Sequence, residues 1–508
     1  MMAAVRHSAQ GMTLHTLFAG LVDTTHLPDI RVSGLALDSR CIAEGELFLA
    51  CAGTAQHGVH FIEQAIARGA VAVAVEPAPE SAGMDLDAYS IPAFWVERLH
   101  LLASEVAGRF YGDPSSEMAV VGITGTNGKT SVSQFIAQAI AEQTPCGVVG
   151  TLGSGLYGEL SETGHTTPDA VSLQAQLAQM HDASARHVAM EVSSHALDQG
   201  RVNGLRFEVA VYTNLSHEHL DYHGDMETYA AAKRRLLEMT GLRKAVINSD
   251  DATGRNWLAA MPEGVEAISY GLEGGEGENL SPTLFADALQ LDASGLSMRV
   301  RSPWGEGRLQ TGLLGRFNAS NLLAALGALI ALGYDFADAI ARLGRVGTVP
   351  GRMERFAVPG RPLVVVDYAH TPDALAHVLT ALREHTRRRL WCLFGCGGER
   401  DREKRPKMGQ IAEALADSVV ITDDNPRREN PFNIIEDIFC GIGNPDAIYV
   451  NRDRAQAIAH AIGLSREGDV ILVAGKGHET EQQIGEQRIP YSDREEVARL
   501  LGLEVRRG

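Results

Sequence analysis

The stretch "GITGTNGKTS" at residues 122–131 constrains the fold most, because it joins the apolar run "MAVV" to an amphipathic helical pattern. A Gly-rich loop between a strand and a helix points backbone N–H groups into one concavity at the positive end of the helix. The Walker A pattern G-x-x-x-x-G-K-[ST] ends here at Gly128, Lys129 and Thr130, but Ile123 stands where its first glycine belongs. The stretch therefore predicts a variant phosphate loop, with a structural Gly-rich turn as the alternative.

Two polar clusters follow later strands and suggest what surrounds such a loop. "MEVSSHALDQGRV" places Glu191 at the carboxyl edge of a parallel sheet, where a second Mg²⁺ ligand beside the Thr130 hydroxyl belongs. "TNLSHEHLDYHGDMETYAAAK" contains His217, His219 and His223, which also invite a zinc interpretation. Magnesium is the expected ion next to a phosphate loop, and one imidazole can complete its shell.

Apolar β-type runs alternate with helical patterns along the whole chain, which is typical of parallel sheets covered by helices. Turn-rich "YGDPSSEM" and Gly- and Pro-rich "LGRVGTVPGRME" separate three such sets. We expect an α/β protein with a central P-loop parallel-sheet ATPase domain, flanked by an N-terminal α/β domain and a C-terminal Rossmann-like α/β domain. The predicted boundaries are 1–115, 116–345 and 346–508.

Composition excludes several classes of protein. The formal charge of −19 over 508 residues argues against a nucleic-acid partner, which would need a basic face. Six scattered cysteines match no zinc or redox motif, and no signal peptide or membrane-length apolar run is visible. We expect a cytoplasmic enzyme, acting as a monomer without a membrane partner, whose first eleven residues are a disordered extension if Met12 is the natural start.

At this point the chain resembles a known family, the ATP-dependent Mur ligases of peptidoglycan synthesis, and within it the ligases that add diaminopimelate. The resemblance runs from about Asp38 to Asp493. It rests on nine motifs in fixed order: "GTNGKT", "EVSSH", "HLDYHGDMETYAAAK", "GRFNASNLLAA", "GRME", "VDYAHTPDAL", "FGCGGERDREKRP", "DDNPR" and "AGKGHE". Residue patterns alone support a Mg·ATP enzyme with three α/β domains.

The resemblance implies a reaction in two steps. ATP would phosphorylate the terminal carboxylate of UDP-N-acetylmuramoyl-L-alanyl-D-glutamate, and the amine of meso-diaminopimelate would attack the resulting acyl phosphate. A carboxylate is a poor electrophile, whereas its phosphoryl derivative has a good leaving group, and metal ions screen the charge between the reactants.

The resemblance also assigns residues to the nucleotide, the metal and the chemistry. ATP would be bound by Gly125, Thr126, Asn127, Gly128, Lys129, Thr130, Ser131, Asn318 and Asp367. Magnesium would be held by Thr130, Glu191, His219 and Lys233 as a CO₂-derived carbamate. The catalytic set is Lys129, Lys233, Glu191, His219 and Arg352, with Arg352 facing the transferring phosphate.

Two of these assignments have competing interpretations. Asn318 stands near a predicted helix start, where it could equally be an N-cap. Lys233 lies inside "AAAKRRL", which by itself reads as a solvated helical segment. A carbamate needs a neutral amine, so the resemblance predicts a lowered pKa for Lys233 in a desolvated or cation-rich site.

The muramoyl dipeptide is assigned to the first two domains. The resemblance carries its contacts to Leu37, Ser39, Thr54, Ala55, Gln56, Thr166, Thr167, Ser193, Gln199 and Arg201. One position departs from a common form of the family pattern, because His165 stands before the paired threonines where an asparagine is often found.

Diaminopimelate is assigned to the third domain. Its distal carboxylate distinguishes it from lysine, and a guanidinium fork fits a carboxylate best. The assigned residues are Arg400, Asp424, Asn425, Pro426, Arg427, Gly475 and Glu479. Surface salt bridges are the alternative role for the two loop arginines.

Two other functions remain open from sequence. Folylpolyglutamate synthase or a neighbouring Mur ligase would share the phosphate loop, although "DSR" and "DDNPR" argue against them. A nucleotide-driven switch or motor would need a guanine-type N-K-x-D motif, and the sequence contains none.

Overall fold

The computed structural model describes residues 11–53, 56–272 and 282–504. Contacts divide the chain into two compact units. Unit 1 comprises Met1–Tyr270 and Ala324–Tyr334, and unit 2 comprises Gly271–Leu323 and Asp335–Gly508. The three-domain boundaries drawn from the sequence stay a prediction.

The amino-terminal part of unit 1 is a four-stranded parallel sheet in the order β3-β4-β5-β6, preceded by the antiparallel pair β1 and β2. Its elements are β1 (Met12–Thr13), α1 (Leu14–Phe18), β2 (Arg31–Val32), β3 (Gly34–Ala36), β4 (Glu46–Ala50), α2 (Ile62–Ala67), β5 (Ala72–Val75), β6 (Ala93–Trp95) and α3 (Leu99–Phe110). Leu47 and Leu49 pack in one core cluster and Phe48 and Ala50 in another. Both faces of the sheet are therefore buried, as parallel sheets require.

The rest of unit 1 is built on a second sheet, with strands in the order β10-β9-β8-β11-β7-β12-β13-β14. Its elements are β7 (Ala119–Thr124), α4 (Lys129–Ala141), β8 (Cys146–Gly150), β9 (Gly153–Leu156), β10 (Glu159–Ser161), α5 (Ala170–Asp182), β11 (His187–Glu191), α6 (Ser194–Asp198), β12 (Val209–Tyr212), α7 (Leu220–His223), α8 (Met226–Arg234), β13 (Lys244–Asn248), α9 (Ala252–Leu258) and β14 (Glu266–Leu272). Strands β8, β11, β7, β12, β13 and β14 are parallel.

The order of these strands places a crevice at the end of β7. The chain leaves β7 toward β8 on one side of the sheet, whereas the neighbouring strand β12 is followed by β13 on the other side, so the connections from these two strands diverge. Ligands of open α/β sheets bind at such a switch point. The phosphate loop lies there, between β7 and α4.

Unit 2 contains an antiparallel meander and a six-stranded sheet in the order β18-β19-β23-β20-β21-β22. Its elements are β15 (Leu284–Asp292), β16 (Gly295–Ser302), β17 (Gly305–Thr311), α10 (Arg316–Ala331), α11 (Phe336–Leu343), β18 (Glu354–Phe356), β19 (Leu363–Asp367), α12 (Pro372–His385), β20 (Leu390–Phe394), α13 (Lys404–Leu415), β21 (Ser418–Ile421), α14 (Pro431–Phe439), β22 (Tyr449–Val450), α15 (Arg454–Leu464), β23 (Val470–Ala474), β24 (Glu481–Ile484), β25 (Gln487–Pro490) and α16 (Asp493–Leu501). Helix α10 spans the division between the units.

A single imidazole ties the meander to the larger sheet's helices. His385 ends α12, is 1 % exposed, donates from Nδ1 to the Asp292 carbonyl (2.6 Å) and accepts at Nε2 from the Gly315 N–H (2.8 Å). Burial lowers the pKa of His385, which favours the neutral ring that this pair of bonds needs. The meander also accepts a hydrogen bond from Arg355 Nη2 at the Ala293 carbonyl (3.1 Å), so more than one contact joins it to the carboxyl-terminal half of the chain.

The expected α/β class with helix-covered parallel sheets is confirmed. The antiparallel strands β9, β10 and β15–β17 were not expected from the sequence. Among the described residues, no helix combines the length and the hydropathy that a membrane crossing requires. 

A buried ion pair anchors α16 and α15. Arg454 and Asp493 are both 0 % exposed at their side chains and join through two bonds, of 2.7 and 2.8 Å. The same guanidinium donates to the carbonyls of Ala474 (2.8 Å) and Asp423 (3.4 Å), at the carboxyl ends of β23 and β21. The pair thus fixes two strand ends as well as two helices.

Removing the carboxylate should destabilise unit 2 strongly. Asp493→Ala leaves the Arg454 charge buried without its partner, so we expect the free energy of unfolding to fall by about 3–5 kcal/mol, measured from urea midpoints. Glu496→Ala is the matched control, because Glu496 shares the first turn of α16 but pairs with Arg499, which is 67 % exposed. Equal midpoint shifts in the two variants would contradict a structural role for the buried pair.

Candidate functional site

The phosphate loop has a backbone that only glycine permits. Gly125 has φ 147° and Gly128 has φ 87°, both in the region that side chains disfavour. A Cβ on Gly125 would lie 1.9 Å from Thr213 Oγ1 and 3.1 Å from Asn214 N. The glycine is therefore required by close backbone approach as well as by conformation.

The loop is held by the segment that follows the neighbouring strand β12. Thr126 N donates to the Asn214 carbonyl (2.8 Å), and Asn127 N donates to Asn214 Oδ1 (2.9 Å). Thr213 Oγ1 donates to the Asn127 carbonyl (2.6 Å). These bonds fix the loop before any ligand arrives, which is what preorganised phosphate binding needs.

Two lysines converge on one carbonyl oxygen of the loop. Lys129 Nζ and Lys233 Nζ each donate to Gly125 O, both at 2.9 Å, and Lys129 also donates to Thr126 O (2.8 Å). Lys233 is 1 % exposed, with its ammonium 4.5 Å from the Tyr229 ring centroid. Burial, and then the Lys129 charge, lower the pKa of Lys233 to about 6. The lowered pKa expected from the sequence is confirmed, and the solvated-helix interpretation of Lys233 is wrong.

Glu191 is the buried carboxylate of the site. It ends β11, is 1 % exposed, and accepts from Thr130 Oγ1 (3.0 Å), Thr151 N (2.9 Å) and Thr151 Oγ1 (3.3 Å). Burial raises its pKa, and the positive charge of Lys129 opposes that shift. The carboxylate and the Thr130 hydroxyl offer the hard oxygen donors that Mg²⁺ prefers, so these residues fit the ion that the sequence predicted.

His219 lies near Lys233 and Tyr229 but makes fewer contacts with the site than Glu191 does. Its ring is 44 % exposed, 3.7 Å from Glu218 Oε2 and 6.1 Å between centroids from Tyr229, the residue under Lys233. No described contact joins it to Glu191. Its ring does contact His195, at 4.9 Å between centroids.

The other histidines of this segment do not gather as a metal site. His223 Nε2 is 2.9 Å from Ser194 Oγ, and His217 is exposed. Within residues 11–53, 56–272 and 282–504, no group of three or more His, Cys, Asp or Glu side chains is arranged to hold a metal ion. The zinc interpretation therefore has no support in the geometry.

The residues assigned to the muramoyl peptide form one connected cluster beside Glu191. Thr167 Oγ1 donates to the Glu191 carbonyl (2.9 Å) and accepts from Ser193 N (3.1 Å), while Thr166 Oγ1 is 3.1 Å from Thr151 Oγ1. Arg201 Nη1 donates to the Thr167 carbonyl (2.9 Å).

Gln199 completes this cluster. Its Oε1 accepts from Arg201 Nε (2.9 Å), and burial lowers the pKa of that arginine. His165, by contrast, is exposed, and its described contact is a carbonyl that accepts from Thr163 Oγ1 (3.0 Å).

The amino-terminal residues lie at the carboxyl edge of the first sheet. Ser39 is buried and donates to Gln64 Oε1 (2.7 Å), Leu37 is half-buried against the core, and Gln56 is exposed. Thr54 and Ala55 fall outside the described residues. Sequence reasoning missed Glu76, a buried carboxylate at the same edge that accepts from Ala52 N (3.0 Å) and pairs with the His100 ring.

In unit 2, Arg352 and Asp367 lie on neighbouring segments. Asp367 ends β19 and accepts from Met353 N (2.7 Å) and Ala369 N (2.8 Å), and burial raises its pKa. The Arg352 guanidinium stands 5.1 Å from the Tyr368 ring centroid, and its buried Nε has no hydrogen-bond partner within the described residues. An unpartnered buried donor is a group that a ligand oxygen would satisfy.

Asn318 is not an N-cap. Helix α10 begins at Arg316, and the Asn318 amide donates from Nδ2 to the Leu314 carbonyl (2.8 Å) instead of accepting from a later N–H. Its Oδ1 accepts from Asn321 Nδ2 (3.2 Å).

The residues assigned to diaminopimelate meet at the carboxyl ends of β20, β21 and β23. Asn425 Nδ2 donates to Glu479 Oε2 (2.9 Å), and a Cβ on Gly475 would lie 2.6 Å from Asp424 Oδ2. Burial raises the pKa of Asp424.

Two arginine side chains lie next to Gly397, close to this group. A Cβ there would lie 2.9 Å from Arg427 Nη1 and 3.6 Å from Arg400 Cγ. Arg427 has φ 52° and donates from Nη1 to the Gly398 carbonyl (2.9 Å). Its backbone N–H donates to the Gln483 carbonyl (3.1 Å) and its carbonyl accepts from Gly485 N (2.7 Å), so the strained turn, including Pro426, is held by the β24–β25 hairpin.

Several site neighbours were missed from the sequence. Thr151, Tyr229 and Lys476 each contact an assigned residue. Thr151 directly follows strand β8, a signal available from the sheet pattern alone. Tyr229 and Lys476 gave no such signal, because their importance depends on burial.

Unit 1 as described is a nucleotide-dependent enzyme core, with a glycine-shaped phosphate loop, a loop lysine and a buried carboxylate behind the Thr130 hydroxyl. Three family descriptions match the chain: the Mur ligase family catalytic domain over residues 31–111, the Mur ligase middle domain over 123–329 and the Mur ligase glutamate ligase domain over 351–477.

Full-length relatives agree with these matches. A protein of Alkalilimnicola ehrlichii called UDP-N-acetylmuramoyl-L-alanyl-D-glutamate–2,6-diaminopimelate ligase is 50 % identical over 97 % of this chain and 99 % of its own. One of the same name from Pseudomonas aeruginosa is 51 % identical over 93 % of this chain and 96 % of its own. A solved structure with that name is 35 % identical, has a TM-score of 0.73 and covers 97 % of this chain and 99 % of its own.

The chain therefore belongs to the Mur ligase family and is an ATP-dependent, amide-bond-forming ligase.

A side chain at Gly125 should destroy nucleotide binding. The Cβ of Gly125→Ala clashes with Thr213 and Asn214 and pushes the phosphate loop away from them. We therefore expect the affinity for a fluorescent ATP analogue to fall more than about tenfold. Gly158→Ala is the control, since Gly158 also has a positive φ (94°) but no atom within 4 Å of the new Cβ. Unchanged affinity in Gly125→Ala would show that nucleotide binds elsewhere.

Proposed function

We propose that this chain joins meso-diaminopimelate to UDP-N-acetylmuramoyl-L-alanyl-D-glutamate in peptidoglycan precursor synthesis, with consumption of ATP. One observation carries the proposal. The chain is about 50 % identical over nearly its whole length to ligases of that name. It has a phosphate loop shaped by glycines in unit 1, and Arg400 and Arg427 lie beside the strand-end loops of unit 2.

The chemistry assigned to unit 1 is activation of a carboxylate. An oxygen of the glutamyl carboxylate attacks the γ-phosphorus of ATP and ADP leaves; the amine then attacks the acyl carbon and inorganic phosphate leaves. Gly125 to Ser131 would hold the nucleotide phosphates through backbone N–H groups and Lys129. Asn318, Arg352 and Asp367 would complete nucleotide binding, with Arg352 toward the transferred phosphate.

Magnesium would be held by Thr130, Glu191, His219 and a carbamate on Lys233. The ion would supply charge neutralisation between the nucleotide phosphates and the carboxylate that approaches them. The protein's part is to hold the Glu191 carboxyl group with three donors and to keep the Lys233 amine neutral, so that it can take up CO₂.

The muramoyl dipeptide would lie across unit 1. Leu37, Ser39, Thr54, Ala55 and Gln56 would take its nucleotide end. The peptide carboxylate would then lie beside Glu191, held by the cluster of Thr166, Thr167, Ser193, Gln199 and Arg201. This cluster adjoins Glu191 because Thr167 Oγ1 donates a hydrogen bond to the Glu191 carbonyl.

Diaminopimelate would occupy the pocket of unit 2. Asp424 and Glu479 offer acceptors for an ammonium, and Asn425 holds Glu479 through its side-chain amide. Arg427, supported by Pro426 and Gly475, and Arg400 offer guanidinium forks for a carboxylate. We also place the reaction in the cytoplasm, where its nucleotide substrates are available, and propose that the chain acts as a monomer.

The direct test is phosphate release from ATP with UDP-N-acetylmuramoyl-L-alanyl-D-glutamate and each candidate amine in turn. Turnover with meso-diaminopimelate, and little with L-lysine, D-alanyl-D-alanine or L-glutamate, is the expected result. Equal or better turnover with another amine would reassign the substrate.

Arg427 should set the preference for diaminopimelate. Arg427→Ala leaves the distal carboxylate unpaired, at a cost of about 2–5 kcal/mol if the pair is buried. The KM for diaminopimelate should rise far more than the KM for ATP or the dipeptide. Turnover with lysine as the amine should change little, because lysine lacks that carboxylate. If the variant keeps the wild-type preference for diaminopimelate over lysine, the turn at 424–427 has only a structural role. The control is Arg428→Ala, since Arg428 is an exposed neighbour that pairs with Glu486.

Lys233 should be required through its carbamate. Lys233→Ala should lower kcat by at least about a hundredfold without unfolding the protein, and short carboxylic acids should restore part of it. With a pKa of about 6, the amine is neutral above that pH and protonated below it, so wild-type activation by bicarbonate should disappear as pH falls below 6. Full activity of Lys233→Ala would show that the mechanism needs no carbamate. The control is Lys244→Ala, because Lys244 stands at the start of β13.

A further inference from the structure

Lys476 is a buried cation that the proposed mechanism does not use. It follows β23, within "AGKGHE", and its side chain is 0 % exposed. Lysine is almost never fully buried unless its charge is paired, so the arrangement around it needs a reason.

The ammonium is fully hydrogen-bonded. Nζ donates to Glu479 Oε2 (2.7 Å), to the Glu481 carbonyl (2.8 Å) and to Asn425 Oδ1 (3.1 Å). Three acceptors match the three protons of a lysine ammonium. Two of the three belong to residues assigned to the amino-acid pocket.

These bonds decide how Glu479 is presented. Its Oε2 accepts from both Lys476 Nζ and Asn425 Nδ2, while Oε1 takes no hydrogen bond among the described residues. The carboxylate is therefore fixed by one oxygen and keeps the other for an incoming donor. The positive charge also offsets the repulsion between Glu479 and the buried Asp424, which lie close enough to interact.

The same bonds decide how Asn425 is presented. Its Oδ1 accepts from Lys476 Nζ (3.1 Å) and from Gln483 N (2.9 Å), two groups that can only donate. The amide must therefore turn its Nδ2 toward Glu479. Lys476 thus joins the loop after β21 to the loop after β23. The two loops are far apart in sequence, but both contribute residues assigned to the amino acid.

We infer that Lys476 is a positioning residue for the incoming amino acid, holding Glu479 and Asn425 so that Glu479 Oε1 receives the ammonium of the substrate. This inference rests on the proposed function. Lys476 touches no substrate itself, so its effect falls on recognition of the amine and not on the nucleotide.

Lys476→Met tests the inference with a side chain of similar length and no charge. We expect the KM for diaminopimelate to rise about tenfold or more, with the KM values for ATP and the UDP-dipeptide nearly unchanged. Lys407→Met makes the same change on the exposed surface of α13 and should alter none of the three. A merely structural role would lower the active fraction, and hence kcat, without separating the KM values.

A double-mutant cycle with Glu479→Gln asks whether Lys476 acts through that carboxylate. The doubly substituted enzyme should show a KM for diaminopimelate close to that of the worse single variant, because both changes remove one interaction. Lys476→Gln, which keeps two donors, is the milder variant if Lys476→Met does not fold, and should show a smaller shift in the same direction.

Three results would overturn the inference. They are an unchanged KM for diaminopimelate in a folded Lys476 variant, multiplicative effects in the cycle, and loss of the folded state in both Lys476 variants, which would make the residue purely structural. Wild-type enzyme is assayed in parallel: no diaminopimelate-dependent phosphate release from it would count against the proposed function instead.

Discussion

Two lysine side chains donate to one carbonyl oxygen, and the site of unit 1 depends on that arrangement. Lys129 belongs to the phosphate loop and Lys233 to α8, yet both donate to Gly125 O at 2.9 Å. Burial, and then the nearby Lys129 charge, lower the pKa of Lys233 to about 6. In the proposed mechanism Lys129 binds phosphate, and Lys233 supplies the neutral amine that reacts with CO₂.

Buried charged groups hold the loops at strand ends in both units. In unit 1 a carboxylate, Glu191, is buried at a strand end and accepts from hydroxyl and N–H donors, which leaves hard oxygen ligands at the phosphate loop. In unit 2 two buried cations, Arg454 and Lys476, hold strand-end carbonyls and side chains in place. Both sets lie at carboxyl edges of parallel sheets, where loops can vary while the strands beneath stay fixed.

Local patterns made the fold and much of the site predictable. The apolar runs gave the strands, and the glycines, lysine and hydroxyl of residues 125–130 gave the phosphate loop, since these depend on neighbours in sequence. The low pKa of Lys233 comes from burial and from the Lys129 charge, and only the family resemblance pointed to it. Both causes depend on packing of α8 against a loop 108 residues away. Three other features likewise depend on packing, which residue patterns do not encode. They are the His385 link between the meander and α12, the Arg352 Nε that has no partner among the described residues, and the burial of Lys476.

The central claim is that this arrangement transfers a phosphoryl group to a carboxylate before the amide bond forms. It is tested most directly by labelling the glutamyl carboxylate of the UDP-dipeptide with ¹⁸O and analysing the inorganic phosphate by mass spectrometry after turnover with ATP and diaminopimelate. An acyl phosphate requires one labelled oxygen to leave with the phosphate, so phosphate carrying one ¹⁸O is the predicted result. Unlabelled phosphate, with both labelled oxygens accounted for elsewhere, would contradict it.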